Sequence, residues 1–171
     1  LIKKTFSLTN SGIYSEIKTN RIAFIGKPNV GKSTLINSIL NESRSIVSDT
    51  PGTTIDSLEM PFTFKDQNYL IYDTAGIMKK SSTKDIINKY SINMSLKCIN
   101  DAHVCILVIS GTELVSKQDK NIFNIIKENN KPFILVINKV DLINKNDMKK
   151  LRSSIDYFSN ILFGTKIIYL S

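Results

Sequence analysis

The sequence has one histidine, two cysteines and three arginines among its 171 residues. With His103 alone, no metal centre or nucleophilic triad can draw on more than one imidazole, which weakens both kinds of chemistry. Cys98 and Cys105 have no C-x-x-C spacing and no histidines clustered around them. Two sparse cysteines in a chain without an export signal imply a reducing, cytoplasmic setting and no zinc site. Cys105 lies inside an apolar run and reads as a small buried hydrophobe. His103 reads as a structural residue at the start of a strand. No apolar run approaches the roughly 20 residues that a membrane span needs. Leu1-Ile2-Lys3-Lys4 is not followed by the apolar stretch of a signal peptide. The chain starts without methionine and is read as a fragment or excised domain.

What is present is enough for one folded domain: 42% hydrophobic and 22% charged residues in a chain of ordinary domain length. Acidic residues are outnumbered, 15 against 23 basic ones, for a net charge of +8. Apart from Arg21, Arg44 and Arg152, every basic residue is a lysine. Two readings stand side by side. One is a surface that attracts a polyanion such as RNA. The other is a solvated lysine surface in a chain rich in Asn and Ile, as an AT-rich coding sequence would give.

Residues 1–20 mix Ser, Thr, Asn and Gly12 with isolated apolar residues and show no sustained period, so they are predicted to be an inter-domain linker or a truncated neighbour. Regular patterning follows over 21–171. Short runs rich in β-branched or aromatic residues predict strands at Ile22–Ile25, Leu58–Phe64, Tyr69–Tyr72, Val104–Ile109, Phe133–Ile137 and Lys166–Leu170. Helical spacing predicts helices at Lys32–Leu40, Lys84–Ile99, Lys117–Asn129 and Met148–Leu162. Alternating strand and helix imply an α/β fold in three layers, a mostly parallel six-stranded sheet with helices on both faces. Pro61 cannot donate to a sheet ladder, so its strand is predicted to be an edge.

The first strand runs into Gly26-Lys27-Pro28-Asn29-Val30-Gly31-Lys32-Ser33, which matches G-x-x-x-x-G-K-[ST]. Glycines let the backbone curl so that successive N–H groups point at one phosphate, and the helix that follows offers its positive N-terminus to the same anion. Lys32 would bridge the β- and γ-phosphates, and the Ser33 hydroxyl would hold Mg²⁺. The nucleotide-contacting run extends to Thr34. Asp73-Thr74-Ala75-Gly76 closes the third strand at its carboxyl end, where open α/β sheets bind ligands. Asp73 would reach Mg²⁺ through water, the Gly76 N–H would sense the γ-phosphate, and Thr74, Ala75 and Ile77 complete that loop.

Asn138-Lys139-Val140-Asp141 ends the fifth predicted strand and chooses the base. Guanine presents N1–H and an exocyclic amine on one edge, and one carboxylate accepts from both. Adenine lacks those donors, so Asp141 facing it would be desolvated without compensation. Asn138 suits the O6/N7 edge, and the Lys139 stem covers the base plane. Between the first helix and second strand, Ser48–Asp56 is polar and turn-rich and has the position of a first switch loop. Thr54 is expected to complete the Mg²⁺ shell, with Thr53 as the competing choice. Ile77 stands where Ras-type GTPases carry a water-orienting glutamine. Isoleucine cannot do that, and Arg44 lies upstream of the switch, so charge compensation must come from elsewhere. A monovalent cation could supply it, with Asn29 as an oxygen ligand.

The strings GKPNVGKSTLINSIL, PGTTID, DTAGI and NKVD resemble the translation-factor-related bacterial GTPases that include Era and MnmE. More narrowly, with Ile46-Val47-Ser48-Asp49, Lys89-Tyr90-Ser91 and Ser116-Lys117-Gln118-Asp119-Lys120, residues 21–171 are similar to the second G domain of the Der (EngA) family. The resemblance implies a P-loop NTPase G domain with one antiparallel edge strand. It implies a cytoplasmic, K⁺-using GTPase that binds GTP and GDP with Mg²⁺ and associates with the large ribosomal subunit or its rRNA. It implies Asn29 as the K⁺ ligand, Ser171 as the first residue of the last base-contacting Ser-Ala motif, a preceding G domain, and a following KH-like domain. Ile55 departs from the family's arginine, and Val140 from its frequent tryptophan. Two other readings remain. A degenerate G domain scaffolding RNA or protein without turnover fits the basic charge and the missing glutamine. A P-loop ATPase or small-molecule kinase leaves Asn138–Asp141 without a purpose.

Overall fold

The computed structural model of the chain describes residues 6–8, 14–16, 19–42, 59–73, 96–159 and 166–171. Its strands are β1 (Phe6–Leu8), β2 (Tyr14–Glu16), β3 (Thr19–Ile25), β4 (Glu59–Phe64), β5 (Gln67–Asp73), β6 (Val104–Ser110), β7 (Phe133–Asn138) and β8 (Ile167–Tyr169). The helices are α1 (Lys32–Glu42), α2 (Lys117–Glu128) and α3 (Lys145–Ser159), with a 3₁₀ turn at Val140–Leu142 and helical residues at 96–101. Six of the described strands form one sheet in the order β4-β5-β3-β6-β7-β8. Within it β4 runs antiparallel, against β5, and it is an edge, as Pro61 requires. The remaining pairs of that sheet, β3 with β5 and β6, β6 with β7, and β7 with β8, are parallel.

A parallel sheet needs both faces covered, so its strands are apolar on both sides. In β6, Cys105, Leu107 and Ile109 point into one buried cluster while Val108 enters the other. β7 divides likewise, Leu135 and Ile137 against Val136. On the first face, Phe123 of α2 meets Phe158 of α3 edge-on, ring centres 5.0 Å apart, and both side chains are fully buried. On the second, Ile36 of α1 packs with Phe24, Phe62 and Ile71. Every strand predicted over 21–171 is present within a few residues of its expected bounds.

Two boundaries differ in an instructive way. α3 begins at Lys145, three residues before the expected Met148, because Asn144 caps it: Asn144 Oδ1 accepts from the Asp147 N–H at 2.9 Å, and Asn144 Nδ2 donates to Asp147 Oδ2 at 2.7 Å. The segment expected to be an unpatterned linker contains the antiparallel ribbon β1–β2, with Ser7 opposite Ser15. Strands of three residues are too short to show an alternation. β3 also starts at Thr19, opposite Asn68, two residues ahead of the regular pattern. The helix expected over 84–99 is described only from residue 96 onward.

Both cysteines are buried. Burial pushes each thiol up to about 11, where the thiolate is scarce at neutral pH. A disulfide-exchange reagent at pH 8 is therefore expected to titrate neither thiol in the native chain and both in denaturant. Reaction of either at the rate of an exposed peptide thiol would contradict this packing. His103 has the structural place expected, its N–H donating to the Arg21 carbonyl at 2.8 Å just before β6. No helix among the described residues is long and apolar enough to cross a membrane.

Candidate nucleotide site

Residues 26–31 link β3 to α1 at the carboxyl ends of the parallel strands. The loop closes tightly because its glycines allow it. Gly26, at φ +153°, lies so near β6 that a Cβ would collide with the Val108 carbonyl oxygen. Gly31, at φ +99°, would put a Cβ into the Asn138 side-chain amide. Asn29 also takes a left-handed φ of 63°, a conformation asparagine tolerates better than most residues.

Lys32 is buried, with 3% of its surface exposed. Its ammonium folds back over the loop and donates to the carbonyls of Gly26 at 2.7 Å and Lys27 at 2.6 Å. Burial lowers its pKa to about 8, against an opposing pull from the Asp73 charge. A positive group held desolvated over a glycine loop, at the start of a helix, is suited to an anion that would restore its ordinary basicity.

Ser33 and Asp73 approach from different elements. Ser33 sits in the first turn of α1, Asp73 at the last position of β5, and the Ser33 hydroxyl donates to Asp73 Oδ2 at 3.2 Å. A hydroxyl and a carboxylate converging beside a phosphate loop fit Mg²⁺, which takes hard oxygens and commonly combines one or two protein ligands with phosphate oxygens and water. Thr34 is exposed one position further along α1.

The residues expected to read the base are joined to the loop from behind. Asn138, the last residue of β7, donates through Nδ2 to the Val30 carbonyl at 2.9 Å. Lys139, in the left-handed region at φ 63°, donates through Nζ to the Asn29 carbonyl at 2.8 Å. Asp141 is exposed in the following 3₁₀ turn. That turn is fixed by the last strand: the Val140 N–H donates to the Leu170 carbonyl at 3.0 Å, and the Leu170 N–H to the Ile137 carbonyl at 2.8 Å. Ser171 follows directly and is exposed. Thr53, Thr54, Thr74, Ala75, Gly76, Ile77, Arg44 and Ile55 lie outside the described residues.

Sequence reasoning counts Lys27 and Pro28 among the nucleotide contacts. The Lys27 carbonyl receives the Lys32 ammonium, and its side chain forms ion pairs with Glu113 and Asp119. The motifs assign those two carboxylates no part. The available signal is Ser116-Lys117-Gln118-Asp119, a capping-box spacing that puts Asp119 at the start of α2. A cleft of about 330 Å³ opens along this flank, with Lys27, Asn29, Glu113, Gln118 and Lys139 on its walls.

A glycine loop leading from β3 to α1, an antiparallel edge strand and the Asn138–Asp141 turn after β7 are the arrangement of the G domain of the P-loop GTPases. The chain belongs to the 50S ribosome-binding GTPase family, whose model matches residues 21–139, and it is a G domain of the Der type. It is 41% identical to GTPase Der of Legionella pneumophila strain Corby over 154 residues, which cover 90% of this chain and 33% of that protein. It is 40% identical to GTPase Der of Mycoplasma capricolum, with 100% of this chain and 40% of that protein covered. The chain thus spans 33% to 40% of the length of these relatives. Among solved structures it is similar to Era in complex with MgGDPNP and nucleotides of 16S ribosomal RNA, with TM-score 0.66 and 32% identity. That match covers 90% of this chain and 51% of Era.

Proposed function

We propose that the chain binds GTP and GDP across the loop 26–33, hydrolyses GTP slowly, and serves as a K⁺-stimulated switch in large ribosomal subunit assembly. The observation that carries this reading is the pair of bonds from Asn138 and Lys139 to the carbonyls of Val30 and Asn29. They make the base-reading turn and the phosphate loop a single rigid rim, so that both ends of one nucleotide are read together.

On this reading, Lys32 moves from the loop carbonyls onto the β- and γ-phosphates, and Ser33, Asp73 and Thr54 would hold a Mg²⁺ that would supply neutralisation of phosphate charge. Gly76 senses the γ-phosphate through its N–H. Asp141 takes the two guanine donors, and Ser171 borders the base. Ile77 offers no hydrogen bond to water, and Asn29 would hold a monovalent cation that would supply charge compensation in its place. The description of the matching family, 50S ribosome-binding GTPase, supports the large subunit as partner, and the 16S ribosomal RNA fragment bound to Era supports an RNA-facing role; a cytoplasmic location goes with that reading. The net charge of +8 is compatible with such a partner. The second G domain of a longer chain, flanked by another G domain and a KH-like domain, is the place the motifs suggest, with residues 1–20 as the linker.

The test is GTP hydrolysis in K⁺ and in Na⁺ at equal ionic strength. K⁺ is expected to speed turnover by about tenfold, equivalent to ~1.4 kcal/mol of transition-state stabilisation, and Asn29→Ala is expected to remove the difference. Equal rates in both salts would remove Asn29 from the mechanism. Binding without any product, under single-turnover conditions, would favour the scaffold reading instead.

A further inference from the structure

The Lys27 side chain reaches from the loop to the start of α2 and the residues before it. Its Nζ lies 2.9 Å from Glu113 Oε2 and 3.2 Å from Asp119 Oδ2. The two partners differ in weight. Glu113 is 64% exposed, so its contact is screened by solvent and salt. Asp119 is 1% exposed, and an ion pair at such a site is coupled strongly to its counter-charge.

Asp119 is also held firmly. The oxygen that faces Lys27 accepts from the Ser116 N–H at 2.9 Å and the Ser116 hydroxyl at 2.6 Å, while the Asp119 N–H donates back to Ser116 Oγ at 3.3 Å. The carboxylate cannot turn without breaking the cap of α2. Its other oxygen, Oδ1, is buried with no hydrogen-bond partner among the described residues. Desolvation pulls the Lys27 ammonium towards neutrality, but the hydrogen bonds and charges of Glu113 and Asp119 outweigh it, and its pKa lies above that of an ordinary lysine.

The same residue carries one of the two carbonyls that hold Lys32, at 2.6 Å. The side chain of Lys27 is therefore moored to the start of α2 while its backbone seats the phosphate-binding ammonium. We infer that Lys27 is a positioning residue, which through its ion pair with Asp119 ties the phosphate loop to α2 and keeps Lys32 where the nucleotide's phosphates arrive. It acts on the nucleotide through the loop and not by direct contact. The inference rests on the reading of 26–33 as the phosphate loop.

Dissociation of a fluorescent methylanthraniloyl-GDP with Mg²⁺, followed in the whole chain below its melting temperature, tests it. Lys27→Ala leaves the Asp119 charge unpaired and loosens the loop without removing a direct nucleotide contact, and is expected to speed release by about tenfold. Lys27→Arg, which keeps the charge and reach, is expected to stay within about threefold of the parent. Asp119→Asn keeps an oxygen for Ser116 but loses the charge, and is expected to speed release by about as much as Lys27→Ala. The double variant is expected to be no worse than either single one, the signature of a coupled pair.

A direct phosphate ligand would behave oppositely. Asp119→Asn would then free the ammonium for the nucleotide and slow release or leave it unchanged, and the two substitutions would add. Either result overturns the inference, as does failure of arginine to rescue. Lys32→Ala distinguishes the two levels of argument. If it binds nucleotide as the parent does, the phosphate-loop reading itself falls. If it loses binding while Lys27→Ala releases nucleotide at the parent's rate, only the positioning role falls.

Discussion

Replacing Lys32 with alanine is expected to weaken GDP and GTP binding by about a hundredfold or more, the effect of ~3 kcal/mol or above seen when one partner of a sheltered charge pair is truncated. Two losses combine. The phosphates lose a charge-assisted donor, and the carbonyls of Gly26 and Lys27, which take bonds from the ammonium at 2.7 and 2.6 Å, lose their partner in the unliganded loop. Calorimetric titration with GDP and Mg²⁺ measures it, with circular dichroism checking the fold. Lys32→Arg is not expected to rescue. The side chain is buried in a narrow place over the loop, and a planar guanidinium cannot occupy it as a compact ammonium does. Parent-like affinity in Lys32→Ala would mean the loop does not bind phosphate.

Asp141→Asn is expected to change the base that is recognised. The amide side chain supplies one acceptor where the carboxylate supplied two, and it turns an NH₂ towards a guanine donor. Guanine nucleotides are expected to bind about a hundredfold more weakly, which corresponds to two good hydrogen bonds of ~1.5 kcal/mol each. A purine with a carbonyl in place of the amine, xanthine, should gain, because the new amide donates to that oxygen and still accepts from N1–H. The exposed 3₁₀ turn carrying Asp141 is anchored by the Val140 N–H to the Leu170 carbonyl at 3.0 Å, so the exchange should leave its backbone in place. Competition of GDP and xanthosine diphosphate against a fluorescent nucleotide reads the change. An Asp141→Asn variant that still prefers GDP would remove Asp141 from base reading.

The sheet is legible from the sequence because its signals are strong and local. Apolar runs such as Val104–Ile109 are short and β-branched, and Pro61 alone fixes which strand has to be an edge. The phosphate loop is legible because its chemistry constrains residue types at fixed spacing. What is not legible depends on contacts distant in sequence. Nothing in a linear reading joins Lys139 to the Asn29 carbonyl or Asn138 to Val30, 110 and 108 positions apart. Lys27 counts as a nucleotide contact by its place within the motif, and only the fold shows its ammonium on Asp119. The start of α3 escapes a linear reading because an Asn-x-x-Asp cap is a weaker signal than the apolar spacing that begins at Met148. The β1–β2 ribbon escapes it because three residues cannot display a period.

Parallel titrations of the folded chain with GDP and with ADP, each with Mg²⁺, test most directly whether a single rim reads phosphate and base together. Saturable one-to-one binding of GDP, with no detectable binding of ADP at the same concentrations, is the expected result. ADP binding as tightly as GDP, or a folded chain that takes up neither, would contradict it.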